Sequence, residues 1–187
     1  TPVVGERIIK DDDLLADETY NWAKDTTYIL DGFVFLEAGG TLNIEEGTVI
    51  KALSTPTTGD NASALIIARD AQIFAEGTFE EPIIFTAEND DIDDPVDLLP
   101  TDRGLWGGLI ILGNATITAD TPVKAIEGIP AGDDRAVYGG DDDTDNSGVI
   151  RFVSIRHGGA ALAEGNEING LTLGGVGSGT QIDHIEV

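Results

Sequence analysis

The stretch ALIIARDAQIFAEGTFEEPIIFTAE (Ala64–Glu88) decides the fold, because its short β-rich pieces recur along the chain in the same order. An earlier copy reads TLNIEEGTVIKA (Thr41–Ala52), and later ones read GLIILGNATI (Gly108–Ile117) and GVIRFVSIRHGG (Gly148–Gly159). The last is GLTLGGVGSGTQIDHIEV (Gly170–Val187). Apolar positions align from copy to copy. Leu42 falls on Ile73, Ile44 on Ala75, and Val49-Ile50 on Ile84-Phe85. Leu65-Ile66-Ile67 falls on Leu109-Ile110-Ile111 and again on Leu171-Thr172-Leu173, and the same step carries Ala71 and Ile73 onto Ala115 and Ile117. Such ordered repetition is the mark of a solenoid, in which each repeat is one coil stacked on the last. No segment carries a helical apolar stripe beyond two turns. The reading is all-β: a right-handed parallel β-helix, since a β-sandwich would not repeat its strand pairs in order.

The spacers between copies grow, and two of them are acidic insertions. Glu88–Arg103 carries seven acids and Ala131–Gly148 carries six. Insertions in solenoids project as loops from one face, often the binding face. If both project on the same side, they would share ions. Residues 1–27 form a polar lead-in, expected to cap the first coil, and coils occupy 28–187. The 24 glycines suit a chain that must turn many tight corners.

Composition sets outer bounds. With 35 acidic and 10 basic residues the net charge is −25, so the surface repels nucleic acid and anionic membranes and attracts cations. There is no Cys, hence no disulfide framework or thiol chemistry, and no apolar run long enough to span a membrane. The chain also lacks Met and begins at Thr1, which reads as a mature or trimmed product.

The phrases YILDGFVFLEAGGTLNIEEGTVIKA, DRGLWGGLIILGNA, IEGIP, DNSGVIRFVSIRHGG and NEINGLTLGGVGSGTQIDHIEV together resemble a group of secreted bacterial β-helix surface proteins. That group is typical of the Bacteroidetes and often exported by type IX secretion. The resemblance runs from Trp22 to Val187 and implies a secreted, extracellular or cell-surface location. Members of the group continue with further coils, so the chain reads as a fragment of a longer solenoid. The resemblance supplies no catalytic residues.

The sharpest local constellation is Asp141-Asp142-Asp143-Thr144-Asp145-Asn146-Ser147-Gly148. Asp141, Asp143 and Asp145 offer alternate carboxylates, the pattern by which one loop gathers oxygens around Ca2+. The loop lacks the glycine and terminal glutamate of an EF-hand, and an ordinary solvated turn competes with calcium. Asp90, Asp91, Asp93 and Asp94 form a second acidic group, stiffened by Pro95 and Pro100.

Aligning IRFVSI (Ile150–Ile155) with IDHIEV (Ile182–Val187) sets Arg151 by Asp183, Phe152 by His184 and Ser154 by Glu186. Ladders like this build carbohydrate-cleaving sites on solenoids, with paired carboxylates or a basic residue plus calcium. Ordinary cross-strand pairing explains them as well. His157 reads as a corner residue bonding backbone, and Ser154 lacks partners for a nucleophilic triad. Trp106 reads as packing rather than as a sugar platform, and GLWGG is not a phosphate loop, since no helix follows it.

Aromatics make up only 6% of the chain, low for a glycan cleft, and no acid pair stands apart from the general acidity. The expectation is therefore a non-enzymatic structural or adhesive β-helix of the cell exterior. Its partners would be other copies of itself or cell-surface polysaccharide. The alternative is a polysaccharide-binding or polysaccharide-degrading β-helix.

Overall fold

Three columns of parallel strands run through the molecule, and each coil of chain adds one strand to each. A computed structural model describes residues 5–130, 132–163 and 165–187. Residues 1–4 of the expected lead-in and Ala131, the first residue of the second insertion, lie outside the described residues. The first column holds β2 (Thr19–Trp22), β5 (Thr41–Ile44), β8 (Gln72–Glu76) and the opening halves of β13 (Gly148–Ile155) and β17 (Gln181–Glu186). The second holds β1 (Gly5–Ile9), β3 (Thr26–Leu30), β6 (Val49–Ala52), β9 (Ile83–Ala87) and the closing halves of β13 and β17. The third holds β4 (Phe33–Leu36), β7 (Ala64–Ile67), β10 (Gly108–Leu112) and β16 (Leu171–Gly174). The fold is a parallel β-helix.

Registers follow the apolar alignment. Leu42 pairs with Ile73 and Ile44 with Ala75; Ile50 pairs with Phe85; Leu65, Leu109 and Leu171 stack in one row. Side chains alternate across a strand, so rows two residues apart point inward together and fill one continuous core. Trp22, Leu30, Leu42, Ile67, Phe85 and Ile111 all belong to it. At the N-terminal end Ile9 and Leu14 are also buried in this core, and Trp22 stacks on Tyr28 at 4.5 Å between ring centroids.

One expected row is corrected. Ile73 pairs with Gly148, not with Ile117, because after β10 the chain leaves the solenoid and re-enters the first column only at β13. Residues 113–147 form this excursion, which contains the antiparallel pair β11 (Lys124–Ala125) and β12 (Val137–Tyr138). A later excursion carries the antiparallel pair β14 (Ala161–Ala163) and β15 (Asn166–Glu167).

These excursions explain the unbroken apolar runs of β7 and β10. Phe33, Phe35, Ile66, Ile110 and Leu112 of the third column point away from the main core into a second one, which Ala136, Ile168 and flanking Ile126, Ile129 and Tyr138 cover. A sheet buried on both sides reads as continuous hydrophobic sequence rather than alternation. Arg135 fastens the cover. Its guanidinium lies 4.1 Å from the Phe35 ring centroid and pairs with Asp133, Asp11 and Glu37. The Asp133 hydrogen bond leads the contacts that hold its pKa above the ordinary value.

Between the first and second columns, the early coils turn through short loops. β13 and β17 turn instead on one residue each, Phe152 (φ 49°) and His184 (φ 52°). Their rings stack with centroids 4.4 Å apart, one above the other at the same corner.

Candidate functional site

The third column is covered on its outer side, so lateral chemistry has to sit on the first or second. On the first, Arg151 Nε donates to both oxygens of Asp183 at 3.0 and 3.1 Å, and Nη2 donates to Oδ2 at 2.9 Å. Arg151 first and His184 second hold the Asp183 carboxyl below the usual range. The sequence-predicted pairs Arg151–Asp183 and Ser154–Glu186 are thus true rungs of the ladder.

On the second column the rungs run into a line. Arg156 Nε donates to Ser154 Oγ at 3.1 Å, and Ser154 Oγ donates to Glu186 Oε2 at 3.0 Å. Strand alternation sets these side chains outward, because Val153 and Ile155 are buried in the core between and beside them. They form the floor of a trough. At one end stands the first acidic insertion, anchored by Lys51 Nζ, which donates to the Asp90 carbonyl at 2.8 Å. His157 Nδ1 lies 2.5 Å from the Asp102 carbonyl, so this histidine is a corner residue bonding backbone. At the other end stands the corner between β8 and β9, with Phe79 at its tip, 83% exposed.

A cavity of about 690 Å³ lies against the insertion, and a notch of about 250 Å³ lies between Phe79 and the Phe152–His184 stack. Arg156 and Glu186 line both, so the two adjoin across these side chains. The acids of the insertion largely serve its own backbone. The Asp91 amide bonds the Asp97 carboxylate and is the leading cause of its lowered pKa, and Leu99 N donates to Asp102 at 2.8 Å. Asp91 and Asp94 make Asx turns, accepting from Asp93 N and Val96 N at 3.1 Å each, which explains why a loop of this shape is rich in aspartate.

The second acidic turn sits elsewhere. Asp141 is exposed. Asp143 Oδ1 accepts from Thr116 N at 2.9 Å, and bonds to Thr116 lower its pKa. Asp145 accepts from Asn114 Nδ2 at 3.1 Å and from Ser147 Oγ at 3.2 Å. Among the described residues no group of three or more His, Asp or Glu side chains converges as metal ligands do. The first insertion leaves the solenoid between the second and third columns and the second between the third and first; the cavities beside them share no lining residue. This placement at different corners of the solenoid does not favour ions shared between the two insertions.

Trp106 is 1% exposed, and its Nε1–H donates to the Arg156 carbonyl at 2.7 Å. It is a packing residue beneath the trough. Sequence reading missed Phe79 and the part Arg156 plays. The signal for Phe79 was an aromatic residue set among Gly77, Thr78, Glu80, Glu81 and Pro82, where a turn has no core to offer it.

A family model described as a pectate-lyase like beta helix domain matches residues 15–187. No curated protein and no solved structure matches the chain.

Proposed function

Because the chain belongs to the family of pectate-lyase-like β-helix domains, we propose that it is a non-enzymatic structural or adhesive module of the cell exterior that holds polysaccharide on its open lateral trough. The observation that carries this reading is the engagement of the ladder groups. Arg151 is closed on Asp183, and Glu186 is bonded to Ser154, so the groups best placed for chemistry are held in cross-coil rungs. A glycoside-cleaving acid needs a carboxyl whose pKa is raised so that it keeps its proton. On the ladder the Asp183 carboxyl runs the other way, held below the usual range by Arg151 first and His184 second. A secreted location and export by the type IX route belong to the same proposal and rest on the phrases quoted above.

The test is incubation with a panel of neutral and acidic cell-surface polysaccharides, read by co-sedimentation and by product release. Retention on a polymer with no new reducing ends and no unsaturated sugar is the expected result. Steady release of either product would overturn the non-enzymatic reading and return the chain to the polysaccharide-degrading class.

Calcium at Asp141, Asp143 and Asp145 enters the proposal as a structural ion, resting on the spacing of three carboxylates in one turn. A ligand that binds only the folded state raises its melting midpoint, by about 2.7 kcal/mol of stabilisation at a hundredfold excess over Kd. The midpoint is expected to rise in millimolar calcium and to fall in chelator. Identical melts would reduce the turn to a solvated loop.

A further inference from the structure

We propose that the notch between Phe79 and the Phe152–His184 stack is a subsite for one uncharged pyranose ring of a bound polysaccharide, with Phe79 as its stacking platform. The inference rests on the binding reading above and assigns its ligand class.

Phe79 is 83% exposed on a well-formed corner, held by Thr78 N donating to the Glu81 carbonyl at 3.1 Å and Glu81 N donating to Thr78 Oγ1 at 3.0 Å. A phenyl ring displayed on a tight turn offers a flat apolar face at little conformational cost. Across the notch the line Arg156–Ser154–Glu186 offers N–H donors and carboxylate oxygens. A wholly apolar ligand would cover that line and leave its polar groups without partners, which is costly. A pyranose ring has an apolar C–H face and a rim of hydroxyls. It satisfies both walls at once. The notch, at about 250 Å³, lies below the size of a site for a drug-sized ligand and suits one ring with its neighbours extending into the larger cavity.

Charge decides against an acidic sugar. The larger cavity is lined by six carboxylates and two guanidinium groups, in a chain of net charge −25. A polyuronate would meet like charge along the trough and around it.

The experiment is native affinity electrophoresis of the wild-type chain and of F79A and F79W, in gels containing soluble neutral glucan, mannan or galactan, or polygalacturonate. Wild type is expected to be retarded by a neutral polymer and not by polygalacturonate. Loss of one stacking ring should weaken that retardation about tenfold in F79A, and F79W should keep it. The melting midpoint of F79A should match wild type, since the side chain is exposed. Neutral-polymer binding unchanged in F79A would overturn the subsite and leave the binding reading standing. Tighter retention by polygalacturonate would overturn the ligand class. Retention by none of the four polymers would overturn the binding reading and the subsite together.

Discussion

The G148A variant is expected to lose about 3–5 kcal/mol of stability, the scale of a substitution that displaces backbone as well as straining it. Gly148 is where the chain returns to the first column after the long excursion, and it pairs with Ile73 in the first register of β13 on β8. Its φ is +113°, a region essentially closed to residues with a Cβ. A Cβ there would stand 1.9 Å from the Ile73 carbonyl oxygen and 2.7 Å from its carbon. Neither atom can swing aside, as a side-chain tip would. They belong to the strand on which β13 is stacked, and Ile73 N already donates to the Ser147 carbonyl at 3.0 Å. The matched control is G59A. Gly59 also has positive φ (+95°), but a Cβ there meets nothing within 4 Å. Backbone strain alone applies, about 1–2 kcal/mol. Urea unfolding midpoints of the two variants separate clash from strain, provided their m-values agree. Equal losses would mean that β13 does not enter the first column at Gly148.

That position also marks where sequence reading ends and structure begins. In a solenoid every coil solves the same packing problem, so inward rows repeat chemically and can be aligned by eye. Leu65, Leu109 and Leu171 show this across long spacers, and Arg151–Asp183 shows it on the outside. Ala115 and Ile117 misled for the same reason. They follow β10 in a phrase like the one after β7, but a repeat carries no signal for where an excursion begins, and the return is marked by a glycine rather than an apolar residue. The cover over the third column was visible only as unbroken apolar strands. Its fastening was not visible at all, because Arg135 meets Asp11 from 124 residues away. The trough escaped for a related reason. Phe79 and Glu186 lie on different coils, and only the stacking of β13 beside β9 brings their corners to one face.

Replacing Trp106 by alanine is expected to be at least as damaging as G148A, by a different route. W106A removes a side chain that is 1% exposed and packed in the main core, where truncation of an aromatic costs about 3–5 kcal/mol. It also strips the part-buried Arg156 carbonyl of the indole N–H that satisfies it at 2.7 Å, and an acceptor left unpaired adds up to about 1–3 kcal/mol. W106F restores most of the packing but not the donor, so its loss should fall near that second figure alone. The pair of variants therefore weighs packing against hydrogen bonding at one site. Fluorescence gives an independent check, since Trp22 and Trp106 are the only tryptophans and both are buried. Wild-type emission should be blue-shifted, and W106F should keep that position at lower intensity. Because the Arg156 carbonyl is the anchor point, W106F should also loosen the floor of the trough, weakening polysaccharide retention more than its modest loss of stability would suggest. A mild W106A with red-shifted wild-type emission would put the indole at the surface, and Trp106 would then replace Phe79 as the candidate platform for sugar.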